Sequence, residues 1–244
     1  MIPKRIYYVW LGKKSLPTEV QVNIESWKAT NPDYSIIEIN ESNFNINKYT
    51  FVKEAYEQGQ WAFASDVIRL DIIYNNGGFY FDTDVRLLKS IEPLRYKDSV
   101  WGLETVDNVN SGLIIGACKG NIDLKNLLSI YKKKHFKITD MQKLITTGII
   151  SEYFKSQGLK PKNSLQILPN GAYIYPSDYF APKHWWGGGH ITYRTIAIQE
   201  YRKEWGSKNK QVGLRRWIRL NFRHNLPKLF YFIQNIRHRR GENS

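Results

Sequence analysis

Cysteine is nearly absent. Cys118 is the single one in 244 residues. One thiol excludes an internal disulfide framework and a cysteine-built metal centre, and it suits a reducing compartment. Long apolar runs are missing as well, since none approaches the ~18 residues of a spanning helix. Met1-Ile2-Pro3-Lys4-Arg5 leads straight into a strand-like run, without the apolar stretch of a secretion signal. Several signature motifs are missing. There is no G-x-x-x-x-G-K-S/T, no G-x-G-x-x-G, no H-E-x-x-H and no G-x-S-x-G. These absences argue against P-loop, dinucleotide-binding, zinc-peptidase and serine-hydrolase chemistry. Gly187-Gly188-Gly189 lacks phosphate-loop spacing and reads as a loop. Negative charge is scarce at one end. Residues 201–244 hold 12 Lys/Arg against 2 Asp/Glu, whereas residues 1–200 hold 24 against 20. Most of the net charge of +14 therefore belongs to the tail, and such a tail meets an anionic partner.

The rest of the chain has what a globular body needs, with 42% hydrophobic and 14% aromatic residues. Ile6 to Trp10 reads as a buried strand, residues 17–30 as a helix and Tyr34 to Ile39 as a second strand, the opening of an α/β layer fold with a parallel sheet. In residues 60–76, Trp61, Ala64, Ile68 and Ile72 share one helical stripe, and Gly77 sits where a C-terminal cap belongs. The strand Phe79-Tyr80-Phe81 follows. Further strands are expected at Val100–Leu103 and Leu113–Ala117, helices at 121–134 and 140–156, and short strands and loops over 158–195. Two units emerge: a body over 1–207 and a basic amphipathic helical tail over 208–244.

Three constellations carry chemistry. The first is Asp82-Thr83-Asp84, two carboxylates at i and i+2 after an apolar strand, expected to point to one side. Neighbouring carboxylates repel unless a cation neutralises them. A hard ion such as Mg²⁺ or Mn²⁺ with oxygen ligands does so and can bridge to a diphosphate. The plain alternative is a solvated turn. Phosphatases of the haloacid dehalogenase type also start with D-x-D, but they place Thr or Val where Arg86 stands. The second constellation is Asp66 with Arg69, i and i+3 on a helix whose flanking positions are apolar. A charged pair there is partly buried and must be paired or have a task. The third is Trp10 at the end of the first strand, either a core aromatic or a platform on which a base stacks.

Together these residues resemble a family. Ile2-Pro3-Lys4-Arg5-Ile6 with Val9-Trp10-Leu11-Gly12, then Ser65-Asp66-x-x-Arg69, then Tyr74-x-x-Gly77-Gly78-x-Tyr80-x-Asp82-x-Asp84-Val85, are similar to glycosyltransferase family 32 and to the catalytic domain of the large clostridial glucosylating toxins. The likeness runs over about residues 2–205. It implies a GT-A (Rossmann-like) fold, a nucleotide-sugar donor (a UDP-sugar favoured), Mn²⁺ or Mg²⁺, and transfer with retention of configuration. By the same resemblance Asp84 binds the metal, and Asp82 meets it through water and contacts the donor. Asp66 and Arg69 hold donor sugar hydroxyls beside Ser65, Tyr80 lines the donor site, and Trp10 stacks on the base. Asn110-Ser111-Gly112 matches the segment lining the sugar or acceptor pocket. The family's C-terminal Ala-Ile-His-His-x-x-x-Ser-Trp is replaced here by Ala197-Ile198-Gln199-Glu200-Tyr201-Arg202-Lys203-Glu204-Trp205. Glu200 then stands as the third metal ligand, with Gln199 or Glu204 as substitutes, and Trp205 as a donor contact.

The tail adds a partner. In residues 213–224, Leu214, Trp217, Ile218 and Phe222 fall on one helical face and Arg215, Arg216, Arg219 and Arg223 on the other. A second helix is expected from Pro227. Arginines beside Trp and Phe on an amphipathic helix suit an anionic membrane surface over residues 213–240, and no nucleic-acid module accompanies the charge. The sequence thus reads as a retaining hexosyltransferase, cytoplasmic and peripheral on the inner face of the cell membrane. It would act on a saccharide or lipid-linked saccharide acceptor in capsule or O-antigen synthesis. The alternatives are a protein-directed transferase and a catalytically dead, membrane-binding relative.

Overall fold

The computed structural model describes residues 1–201 and 213–241. The chain runs β1 (Arg5–Val9), α1 (Thr18–Thr30), β2 (Ser35–Ile39), α2 (Thr50–Glu57), α3 (Trp61–Asn76), β3 (Gly78–Tyr80), β4 (Val85–Leu87), β5 (Ser99–Gly102), β6 (Ile115–Ala117), α4 (Ile122–Tyr131), α5 (Thr146–Ser156), β7 (Gln166–Ile167), β8 (Ala172–Tyr175), α6 (Ser177–Phe180), β9 (Ala197–Gln199), α7 (Leu214–Asn225) and α8 (Pro227–Gly241). A seven-stranded sheet has the order β2-β1-β3-β6-β5-β8-β7, and β4 pairs with β9 in a separate ribbon. The opening strand–helix–strand is parallel as expected, and β3 joins β1 in parallel. The sheet then becomes mixed, because β6 enters antiparallel between β3 and β5. The C-terminal ends of β1, β3 and β5 consequently share one edge, where ligands of open α/β sheets bind.

Strand alternation divides the core in two. From β1, Tyr7, Val9 and Leu11 face α2, α3, α4 and α5, whereas Ile6, Tyr8 and Trp10 face α1 and the β4–β9 ribbon. Burial is complete at Trp27, Trp101, Phe79 and Phe81, and each such side chain contributes about 1.5–3 kcal/mol on leaving water. Trp27 also donates its Nε1–H to Val85 O at 2.8 Å, which ties α1 to β4.

Helix α3 is buried on nearly every side, Arg69 and Asp71 included. Asp71 accepts from Lys48 Nζ and Tyr49 OH, each at 2.7 Å. The helix ends at Gly77 with φ +65°, and Gly78 follows with φ +121°. A Cβ on Gly77 would stand 2.8 Å from Lys119 N, and one on Gly78 2.9 Å from Arg5 O. Only glycine lets the chain turn there from α3 into β3 against its neighbours.

The two tail helices form where the sequence places them. They dock on the body through Arg223 and Tyr231, which both bond the buried carboxylate of Asp107. His224 packs against His184 and Trp186, with ring centroids 4.3 and 5.9 Å away. Among the described residues no helix is long and apolar enough to cross a membrane.

Candidate active site

At the shared strand edge lies a cleft lined by Val9, Leu11, Trp61, Ser65, Arg69, Tyr80, Asp82, Thr83 and Asp84. Its floor is an electrostatic hub. The Arg69 Nη2 sits 3.1 Å from both Asp66 Oδ1 and Asp82 Oδ1. The same Nη2 is 3.0 Å from Ser65 Oγ, while Nε donates to Ser65 O at 3.2 Å and Nη1 to Ser111 Oγ at 3.3 Å. The guanidinium also lies over the Tyr80 ring, 4.9 Å from its centroid, and Tyr80 OH donates to Asp82 Oδ1 at 2.8 Å. A buried cation with this many partners is fixed in place, and it allows two carboxylates to share a poorly hydrated space.

Burial pushes the Asp66 carboxyl up to about 6, although the Arg69 charge and a hydrogen bond from Thr146 pull it down. The Thr146 hydroxyl also bonds Tyr131 OH at 3.0 Å, so the first turn of α5 and the end of α4 meet at the Asp66 carboxyl.

The D-x-D segment is a turn rather than a strand end. β3 stops at Tyr80, and Val85 N closes back on Asp82 O at 3.0 Å. The expected strand alternation therefore does not govern these side chains. Asp82 leans inward on Arg69 and Tyr80, and Gly112 backs it so closely that a Cβ there would lie 1.9 Å from Asp82 Oδ2. Asp84 leans toward β9. The antiparallel register Val85↔Gln199 sets Asp84 opposite Glu200, whose N–H donates to Asp84 O at 2.9 Å. Gln199 Nε2 donates to Asp84 Oδ1 at 2.7 Å. Glu200 Oε2 receives Asn23 Nδ2 at 3.5 Å, and its Oε1 is 4.0 Å from Arg86 Nε.

This corner matches the donor preferences of a hard divalent cation. Its donors are all oxygens, and Asn23 Oδ1 and Gln199 Oε1 are both buried without a hydrogen-bond partner among the described residues. Buried acceptors left in that state normally have a ligand or water to serve. Among the described residues no three carboxylate, imidazole or thiol groups converge as a complete metal cage. Water or another external ligand would have to complete the coordination of an ion there.

The predicted residues divide in their placement. Asp66, Arg69, Ser65, Tyr80, Asp82 and Asp84 gather at the cleft, and Glu200 joins through the ribbon. Trp10 is packed in the half of the core that faces α1 and the β4–β9 ribbon, 8% exposed, with Nε1 donating to Lys14 O at 2.7 Å. Trp61, expected only as part of a helical stripe, lines the cleft beside Tyr80. Asn110 acts on the local backbone, its Oδ1 accepting from Gly112 N at 2.8 Å and so holding the turn behind Asp82. Trp205 and Glu204 lie outside the described residues.

Glu104 follows β5 as an isolated glutamate, a pattern that carries no signal in the sequence. Burial pushes its carboxyl up to about 7, opposed by Asn110 beside it.

The fold is that of a GT-A glycosyltransferase. Residues 17–101 match the family described as "Glycosyltransferase sugar-binding region containing DXD motif", a span holding Asp66, Arg69, Asp82 and Asp84. Among solved structures the chain is similar to the PaToxG glycosyltransferase, with a TM-score of 0.52 at 16% identity, over 64% of this chain and 70% of that one. It is also similar to the galactosyltransferase LgtC in complex with donor and acceptor sugar analogues, with a TM-score of 0.38 at 13% identity, over 88% of this chain and 94% of that one. No curated protein matches the chain in sequence. The matched sugar-binding region and the fold support a glycosyltransferase.

Proposed function

We propose that the protein is a metal-dependent, retaining glycosyltransferase of the family 32 type. It moves a hexose from a nucleotide-sugar, a UDP-sugar favoured, to a saccharide acceptor, with lipid-linked surface-polysaccharide intermediates as the acceptor class. The observation that carries this reading is the Arg69 hub, which holds Asp66 and Asp82 beneath a cleft that Asp84 also lines, with Glu200 paired to Asp84 through the ribbon.

Asp84 and Glu200, with Asp82 nearby, would hold Mn²⁺ or Mg²⁺. When bound, the ion supplies Lewis-acid stabilisation of the departing diphosphate. The chain's own residues do the positioning. Asp66 and the Arg69 hub accept and donate hydrogen bonds to hydroxyls of the donor sugar, and Trp61 offers an aromatic wall for the base or sugar. Transfer breaks the bond from the anomeric carbon to the phosphate oxygen and forms one to the acceptor oxygen. The acceptor proton goes to the leaving phosphate. Among the described residues the cleft carboxylates are engaged, Asp66 and Asp82 by Arg69 and Asp84 by Gln199, which favours same-face attack over a covalent intermediate as the route to retention.

The test is nucleotide release from a panel of UDP- and GDP-sugars, with Mn²⁺ and with chelator, beside Asp84→Asn. Release from one donor, abolished by chelator and reduced by orders of magnitude in the folded variant, is the expected result. Full activity in Asp84→Asn removes the ligand assignment. Silence across the panel with lipid-linked acceptors present removes the transferase reading.

A further inference from the structure

We propose that α7, α8 and the 183–189 loop form one interfacial face whose partner is an anionic phospholipid surface. Six apolar side chains of the two helices, Leu214, Trp217, Ile218, Leu226, Leu229 and Phe232, stand between 41% and 72% exposed. Apolar side chains gathered in this number on the outside of a protein mark an interaction surface. The loop belongs to the same surface. Arg216 lies over the ring of the half-exposed Trp185, 5.4 Å from its centroid. A Cβ on Gly187 would be 3.9 Å from Trp217 Nε1. Two tryptophans beside arginines at a protein edge match the headgroup layer of a bilayer, which is apolar on one side and wet on the other.

Charge decides which occupant fits. From Gly213 to Arg240 the sequence has no Asp or Glu. Between α7 and α8 runs a groove lined by Ile218, Phe222, Phe230 and Ile233, with Arg215 and Arg219 on its edge. Arg219 also borders a second hollow, where Lys155, Arg216 and Arg223 face a single carboxylate, Asp107. An apolar trough beside an excess of guanidinium groups takes an amphiphile with an anionic phosphate head. A second copy of this face would bring arginines against arginines, at a cost rather than a gain.

The face is also fixed relative to the cleft. Phe230 is buried, and Arg223 and Tyr231 clamp Asp107. The loop that carries Asp107 continues to Asn110 and Gly112, which back Asp82. A membrane seated on α7 and α8 therefore meets the same sheet edge that holds the cleft.

The experiment uses the full chain, sedimented with vesicles of phosphatidylcholine alone or mixed with phosphatidylglycerol. Binding is expected only to the mixed vesicles and should weaken as ionic strength rises. Trp217→Ser with Ile218→Ser, and separately Arg215→Glu with Arg219→Glu, should each lower it by about tenfold or more. All four positions are exposed, so turnover of a soluble donor and acceptor should be unchanged. Asp84→Asn should bind vesicles as the wild type does. Equal binding by both double variants overturns the proposal, as does a lipid-free dimer that these substitutions dissociate, or tighter retention on duplex DNA than on vesicles. Vesicle binding by a protein that turns over no donor sinks the transferase reading and leaves this one standing.

Discussion

Asp66 is expected to cost the fold stability at neutral pH, and replacing it should show this with a definite sign. Its carboxyl is 16% exposed and is raised from an ordinary value of 3.8 to about 6, burial being the largest cause. The attraction of Arg69 is already contained in that value, since it acts to lower it. A folded-state value above the unfolded one means that the native protein holds the proton more tightly. The stabilising contribution is fully present below about 3.8 and is lost as pH rises through about 6. Moving the ionisation by that much corresponds to about 3 kcal/mol, or about 6–12 °C in Tm for a chain of this size. Asp66→Asn has no proton to lose. Its stability relative to the wild type should therefore climb by up to about 3 kcal/mol between about pH 4 and pH 7. Urea denaturation followed by tryptophan fluorescence across that range measures the difference directly. Turnover should move the opposite way, falling about tenfold to a hundredfold if the charge binds a sugar hydroxyl. Parallel stability–pH curves for the two proteins would refute the argument, because they would mean that Asp66 ionises in the fold as it does in water.

Other substitutions address neighbouring parts of the site. Arg69→Met should cost about 3–5 kcal/mol in urea unfolding, because Asp66 and Asp82 then face each other without a cation. Adding Asp82→Asn should recover part of that loss, whereas purely additive effects would show that the hub does not act as a unit. Gly112→Ala places a Cβ 1.9 Å from Asp82 Oδ2. The carboxylate must leave Arg69 and Tyr80, and donor turnover should collapse while far-ultraviolet circular dichroism stays near wild type. Trp61→Ala should raise KM for the donor about tenfold with a smaller change in kcat, as expected for a stacking wall. An unchanged KM would assign Trp61 to packing over Gly12.

Features that depend on local pattern were legible in the sequence. The α3 stripe, its glycine stop and the Asp66–Arg69 spacing all follow from helical geometry, and the structure reproduces them. The amphipathic α7 is legible for the same reason, and Pro227 marks where α8 begins. The short helix α2 escaped, since it has eight residues and no side-chain cap, and only Phe51, Val52 and Ala55 show its buried side. What depends on distant partners was hidden. Trp10 faces away from the cleft-lining Val9 and Leu11, into the half of the core that holds α1 and the β4–β9 ribbon, and which of the two halves would receive a base could not be read from β1 alone. Thr146 and Glu104 owe their environments to loops folded in from elsewhere. Glu200 was reached only through family resemblance. Its place opposite Asp84 depends on a ribbon closing over more than a hundred residues.

That ribbon also governs how the site breathes. β4 and β9 meet over three residue pairs, and a two-stranded element so short has little stability of its own. It is held by Trp27 and Asn23 of α1 and by the side chains of Asp84 and Gln199. Anything that grips Asp84 and Glu200 together adds its binding energy to the closed ribbon by mass action. Affinity at this corner and the opening of β9 are thus one equilibrium seen from two ends. Amide exchange of Ile198 and Glu200 should slow in proportion as the corner is occupied, which makes the backbone of β9 a gauge of occupancy that needs no turnover to be read.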